Sequence, residues 1–164
     1  KLERMTWGSW MPHKFKIAVS GCPRNCAEAT IKDFGVVCVD SGYELHVGGN
    51  GGIKVRATDF LCKVGTEAEA MDYCAAFVQL YREEARYLER TAPWIERVGL
   101  DYIKARIVED DAGREKLRAR FLYSQQFSQE DPWAERVAGA AAEQHQHWGE
   151  FRPVSLNPIL EPAE

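Results

Sequence analysis

Nowhere in the sequence do the roughly 18–20 consecutive apolar residues of a membrane-spanning helix occur, so a bitopic or polytopic membrane protein is not expected. A signal-peptide pattern is missing too, which makes the cytoplasm the expected compartment. Charge of one sign is not in excess: the formal net charge is −4 over 164 residues. That balance argues against a chain built to coat nucleic acid or an anionic membrane. Cysteine is scarce and odd in number, with five at positions 22, 26, 38, 62 and 74. A secreted disulfide framework is therefore not expected. What remains is an ordinary globular composition, 45% hydrophobic and 28% charged, in a chain long enough for one cored domain with or without an appendage.

The chain opens KLERMTWGSWMP, with no initiator methionine and with Trp7 and Trp10 in need of cover. It reads as a piece of a larger protein. KFKIAV at 14–19 alternates polar and apolar residues and ends β-branched, as a strand does. CAEATIKD at 26–33 reads as a short helix, and FGVVCVD, SG and YELHVGG as strand, turn and strand. GGNGG at 48–52 is a loop, and IKVRA at 53–57 is expected to return as a further strand.

From Thr66 the period lengthens. Met71, Cys74, Phe77, Tyr81, Ala85 and Leu88 mark a helix to about Tyr87, started by a capping box of Thr66 and Glu69. Pro93 opens a second helical stretch, with breaks expected near Gly99, Gly113 and Asp131-Pro132. From residue 140 periodicity is lost and an irregular tail is expected. The order is strands first and helices after: an α+β fold, with a mixed or antiparallel sheet flanked by helices and then a helical C-terminal region. Three sections are expected: 1–90, 91–139 and 140–164.

Chemistry concentrates in SGCPRNCAEA at 20–29, where Cys22 and Cys26 stand four apart on a tight turn. Two thiols at the start of a helix can aim at one centre, and backbone N–H groups there stabilise thiolate charge. Pro23 stiffens the turn. An iron–sulfur role, a zinc site, redox thiols and coincidence all stay open on spacing alone. Zinc fits less well because structural zinc takes four ligands, usually as two close pairs. The single His pair, His145 and His147, has poor spacing for that.

PHKFKIAVSGCPRNCAEA resembles the second cluster-binding motif of the sirohaem nitrite and sulfite reductases. FGVVCVDSGYELHVGGNGGIKVRATDFLCKV is similar to that family's continuation into a glycine–asparagine loop. DPWAERVAG and EFRP resemble the C-terminal region of its NAD(P)H-dependent nitrite-reducing branch. The resemblance implies reduction of nitrite to ammonia, with sulfite as the alternative substrate. It implies that Cys22 is a [4Fe–4S] ligand and that Cys26 is both cluster ligand and axial thiolate of the sirohaem iron. Arg24, Asn25, Gly48, Gly49 and Asn50 would meet the sirohaem carboxylates, with Lys54 and Arg56 as lesser contributors. Lys14 and Lys16, two apart on one strand face, resemble the basic strand at the substrate anion. A solvated lysine face is the plain alternative reading of that pair.

This sequence departs from the family in having no cysteine before position 22, so the upstream ligand pair is absent. The FAD- and NAD(P)H-binding regions implied for the parent are absent as well. The chain is expected to carry half a cluster site, to hold no cofactor alone and to be inactive alone. The parent is expected to be a homodimer, because HKFK runs straight into SGCPRNC. A non-enzymatic module with an incidental CxxxC, or with zinc shared across a dimer, is the rival from another class. Neither nucleic acid nor membrane is expected as a partner.

Overall fold

The computed structural model describes residues 1–128, which pack as an α+β unit. A short helix α1 (Leu2–Thr6) leads to strands β1 (Ile17–Ser20), β2 (Phe34–Val39), β3 (Gly42–Val47) and β4 (Asp59–Val64). Helices α2 (Glu67–Glu84), α3 (Thr91–Val98), α4 (Leu100–Lys104) and α5 (Asp111–Ser124) follow, with a π-helical turn at Ala105–Glu109 between the last two. The sheet order is β1-β2-β3-β4. β1 runs parallel to β2, and the other pairs are antiparallel, so the sheet is mixed.

β2 begins with four buried residues, Phe34–Val37, as an interior strand requires. A two-residue connection, Asp40-Ser41, turns it into β3, with Val39 opposite Gly42 and Cys38 opposite Tyr43. α2 starts as its sequence demands. The Glu69 N–H donates to Thr66 Oγ1 at 3.2 Å, and the Thr66 N–H donates to Glu69 Oε2 at 2.8 Å.

One apolar core joins the sheet to the helices. The Phe77 ring lies 5.8 Å from Phe34 and 5.7 Å from Trp94, and Tyr81 lies 5.5 Å from Trp94. Ile103, Ile107, Leu117 and Phe121 extend the same core. Each such fully buried side chain contributes about 1.5–3 kcal/mol. The boundary expected at 90/91 falls between α2 and α3, and helices on both sides of it line this core.

Four local expectations are corrected. The fourth strand is not IKVRA at 53–57 but Asp59–Val64. Ile53 and Val55 are exposed and find no apolar partner, and a single bridge between Asn50 and Arg56 is all that pairs there. Leu61, Cys62 and Val64 offer the buried face instead. The short helix over 26–33 shrinks to a 3₁₀ turn at Ala29–Ile31, because Asn25 and Glu28 both take left-handed backbone angles (φ 56°) that interrupt an α-helix. α2 stops at Glu84, short of Tyr87, where Ala85 turns extended. Gly113 does not break a helix but lies in the first turn of α5, donating its N–H to Asp110 Oδ1 at 2.8 Å. The break at Asp131-Pro132, the tail from 140 and the His145–His147 pair lie outside the described residues.

Candidate functional site

β1 ends at the buried Ser20, and the chain then loops out through Gly21–Glu28. Asn25 holds the loop together. Its Oδ1 accepts from Ser20 Oγ at 3.2 Å and from the Thr30 N–H at 3.3 Å, while its Nδ2 donates to Thr30 Oγ1 at 2.6 Å. The Asn25 N–H donates to the Cys22 carbonyl, and the Glu28 N–H to the Asn25 carbonyl. With its inner side braced, the loop presents Cys22 and Cys26 as exposed free thiols, with Arg24 exposed between them. The Asn25 amide itself is committed to Ser20 and Thr30. No α-helix starts here, so turn backbone rather than a helix terminus surrounds the thiols.

The other three cysteines differ in kind. Cys38 is half-buried in β2, whereas Cys62 in β4 and Cys74 in α2 are buried. Burial pushes the Cys62 thiol up to about 11, and it pushes Cys74 higher still. Both stay protonated at neutral pH and are poor metal ligands. Among the described residues no group of three or more His, Cys, Asp or Glu side chains is placed to hold a metal ion. The donor set is thus two exposed thiols, half the four that a [4Fe–4S] cluster takes. The residues fit the cluster as a half-site.

The glycine loop packs onto the backbone just beyond the cysteine loop. The Gly48 N–H donates to the Asp33 carbonyl at 3.0 Å, and the Gly49 N–H to the Lys32 carbonyl at 2.8 Å. A Cβ on Gly49 would lie 2.5 Å from the Ile31 carbonyl carbon, and Gly48 has φ +74°. Both glycines are buried against the protein. Asn50 shapes the turn that follows, with Nδ2 donating to the Lys54 carbonyl at 2.8 Å. Arg56 donates to the Gly48 carbonyl and to Asp59, both at 2.8 Å, and Lys54 is exposed. Gly49→Ala is expected to cost about 2–4 kcal/mol by urea unfolding, since backbone must move. Gly51→Ala, whose nearest neighbour is the flexible end of Ile31, is expected to cost under about 1 kcal/mol.

Lys14 and Lys16 are both exposed and flank Phe15, whose ring turns inward to 6.0 Å from Tyr81 and 6.2 Å from Phe77. The regular strand starts one residue later, yet the Lys16 carbonyl already accepts from the Phe34 N–H at 3.1 Å. The strand expected from residue 14 is thus corrected to Ile17–Ser20, with Lys14 and Lys16 just ahead of it on the segment that runs on into the cysteine loop.

Sequence reasoning missed Asp33, Arg90 and Thr91. The Asp33 carboxylate has no solvent exposure and accepts from Arg90, from Thr91 and from the Lys16 N–H. Arg90 and Thr91 lie 57 and 58 residues further along, so no local pattern connects them to Asp33.

A mixed sheet whose first strand delivers a braced turn with two exposed thiols beside a glycine loop is the frame of the site. The family model described as the nitrite and sulphite reductase 4Fe-4S domain matches residues 1–116. The chain belongs to that family. It is 50% identical over 132 residues to the nitrite reductase [NAD(P)H] of Bacillus subtilis (strain 168), covering 80% of this chain and 16% of that protein. It is 42% identical over 115 residues to the nitrite reductase (NADH) large subunit of Escherichia coli (strain K12), covering 69% of this chain and 14% of that one. A more distant relative is the assimilatory-type sulfite reductase of Nitratidesulfovibrio vulgaris, 32% identical over 107 residues, 65% of this chain and 49% of the relative. The chain thus spans less than a fifth of the two nitrite reductases. No helix among the described residues is long and apolar enough to cross a membrane.

Proposed function

We propose that the chain is the part of an assimilatory NAD(P)H-dependent nitrite reductase that carries half of its [4Fe–4S] and sirohaem site. The observation that carries this reading is the pair of exposed thiols, Cys22 and Cys26, on a loop braced from behind by Asn25. The greater likeness to nitrite reductases than to the sulfite reductase favours nitrite as substrate. Cys22 would supply one cluster thiolate, and Cys26 a second that also reaches the sirohaem iron. The remaining cluster ligands would come from elsewhere in the longer protein.

When bound, the cluster and sirohaem would carry electrons from NAD(P)H and FAD in other regions of the longer protein to nitrite, which takes six on reduction to ammonia. Around them this chain contributes cations. Arg24, exposed between the cysteines, is assigned to the sirohaem carboxylates, while Asn25 sets the cysteine loop and Gly48, Gly49 and Asn50, whose N–H groups are spent inside the protein, shape the turn beside it. Gly49 serves through the close approach it permits to the Ile31–Lys32 backbone, and Gly48 through its positive φ and its fit against Ile95. Lys14 and Lys16 are assigned to the substrate anion. Residues 1–90 would form the half-site and 91–139 its helical support. The reductase would work in the cytoplasm, where reducing conditions keep exposed cysteines as thiols.

The proposed assembly is a homodimer built near β1. That strand has β2 on one side and, among the described residues, no strand on the other. Beside it lies a cavity of about 730 Å³ lined by Phe15, Ile17, Val36, Tyr43 and Met71.

Anaerobic reconstitution of the chain alone, followed by absorbance and iron assay, tests the half-site. A colourless protein with little iron is the expected result. A stable brown protein with about four irons per chain, all held by one chain's cysteines, overturns it.

A further inference from the structure

We infer that Asp33 is a positioning residue, which sets the lysine segment and the glycine loop against each other on the backbone that follows the cysteine loop; this rests on the reductase reading above. The lysine segment meets this buried carboxylate directly, and the glycine loop is tied to it through the Asp33 backbone carbonyl and through Arg90. Its Oδ2 accepts from the Lys16 N–H at 2.9 Å and from Arg90 Nη2, and its Oδ1 accepts from Thr91 Oγ1. Its own carbonyl accepts from the Gly48 N–H, and the adjacent Lys32 carbonyl from the Gly49 N–H. Arg90 completes the link, because its Nη1 donates to Asn50 Oδ1 at 2.7 Å. Lys16, the backbone that follows the cysteine loop, and the glycine loop are thereby held by one acid and one planar guanidinium.

Stability alone does not account for this cluster. A buried ion pair contributes little over apolar residues of the same volume, because desolvation offsets the attraction. The Arg90 Nε is moreover buried without an acceptor, a further cost. What the cluster supplies is geometry. The guanidinium fork fixes two acceptors in one plane, Asp33 and Asn50, which a single-point lysine cannot do. Pinning the Lys16 N–H fixes the strand's roll, and with it the side on which Lys14 and Lys16 emerge.

The test uses the intact reductase containing this chain, with Asp33→Ala, Asp33→Asn and Arg90→Lys. Asparagine keeps an acceptor for Lys16 and Arg90 and can donate to Thr91, so it is the conservative rescue. In Asp33→Ala, amide hydrogen exchange across 14–17 and 47–52 is expected to rise together by about tenfold, while α2 stays unchanged. Nitrite KM is expected to rise about tenfold with kcat changed less than about threefold and iron and sirohaem content retained. Asp33→Asn should show little of either effect. If Asp33→Ala fails to fold, Arg90→Lys decides: it should loosen 47–52 and spare 14–17. Unchanged exchange in both segments, or equal acceleration throughout the chain including α2, overturns the inference. Paired loosening with an unaltered nitrite KM supports the positioning role and instead overturns the assignment of Lys14 and Lys16 to the substrate.

Discussion

Replacing Cys26 by serine in the intact reductase is expected to remove the [4Fe–4S] and sirohaem signals together. A thiolate is the soft, charged ligand that iron–sulfur centres require, and a serine hydroxyl stays protonated at neutral pH and binds such iron poorly. If one sulfur joins both centres, its loss unseats both. The position favours a clean result, since Cys26 is exposed on a loop whose internal hydrogen bonds run through Asn25, Ser20 and Thr30. The fold should therefore survive the change. Cys38→Ser and Cys74→Ala are the controls, expected to keep both cofactors at a cost of about 1–3 kcal/mol where the thiol is buried. Visible absorption and iron assay read the outcome. Normal cluster and sirohaem spectra in Cys26→Ser would show that the bridging assignment is wrong.

The second large effect is expected from the lysines. A small anion reduced at an iron centre needs cations to hold it and proton donors as its N–O bonds break. Removing such a group typically costs about 10²–10³ in turnover. The Lys14→Ala, Lys16→Ala double variant is expected to lose nitrite turnover on that scale. Both side chains are exposed, so stability should change by no more than about 0.5 kcal/mol and cofactor content should hold. A homodimer in which each chain's lysines serve its partner's sirohaem makes a sharper forecast. Mixing a lysine-less reductase with a Cys26-less one should restore part of the activity through heterodimers. Unchanged nitrite kinetics in the double variant would return Lys14 and Lys16 to the reading of a solvated strand face.

Local chemistry was legible in the sequence. The Thr66–Glu69 capping box operates over three residues and forms as read. The β2–β3 hairpin follows from a valine-rich run, a short turn and a second run that alternates polar and apolar residues. The CxxxC stood out by its spacing, and its likeness to the reductase family agrees with the family match over residues 1–116. At 53–57 the local pattern misled. IKVRA has as much strand character as DFLCKV, but only Leu61, Cys62 and Val64 find a core face to cover, so pairing goes to the second run.

Sequence by itself determined the α+β order, the thiol pair and the family, because each rests on contacts within a few residues or on a contiguous motif. Tertiary structure alone decided what those motifs lean on. Asp33 is one acid among many in the sequence until β1, the glycine loop and the start of α3 close around it and bring Arg90 to its carboxylate. Gly49 reads as a flexible loop residue until the Ile31–Lys32 backbone arrives where its side chain would be. The physical reason is the same in both places. Burying a charge, or bringing two backbones into contact, depends on segments far apart in the chain, and only folding brings those together.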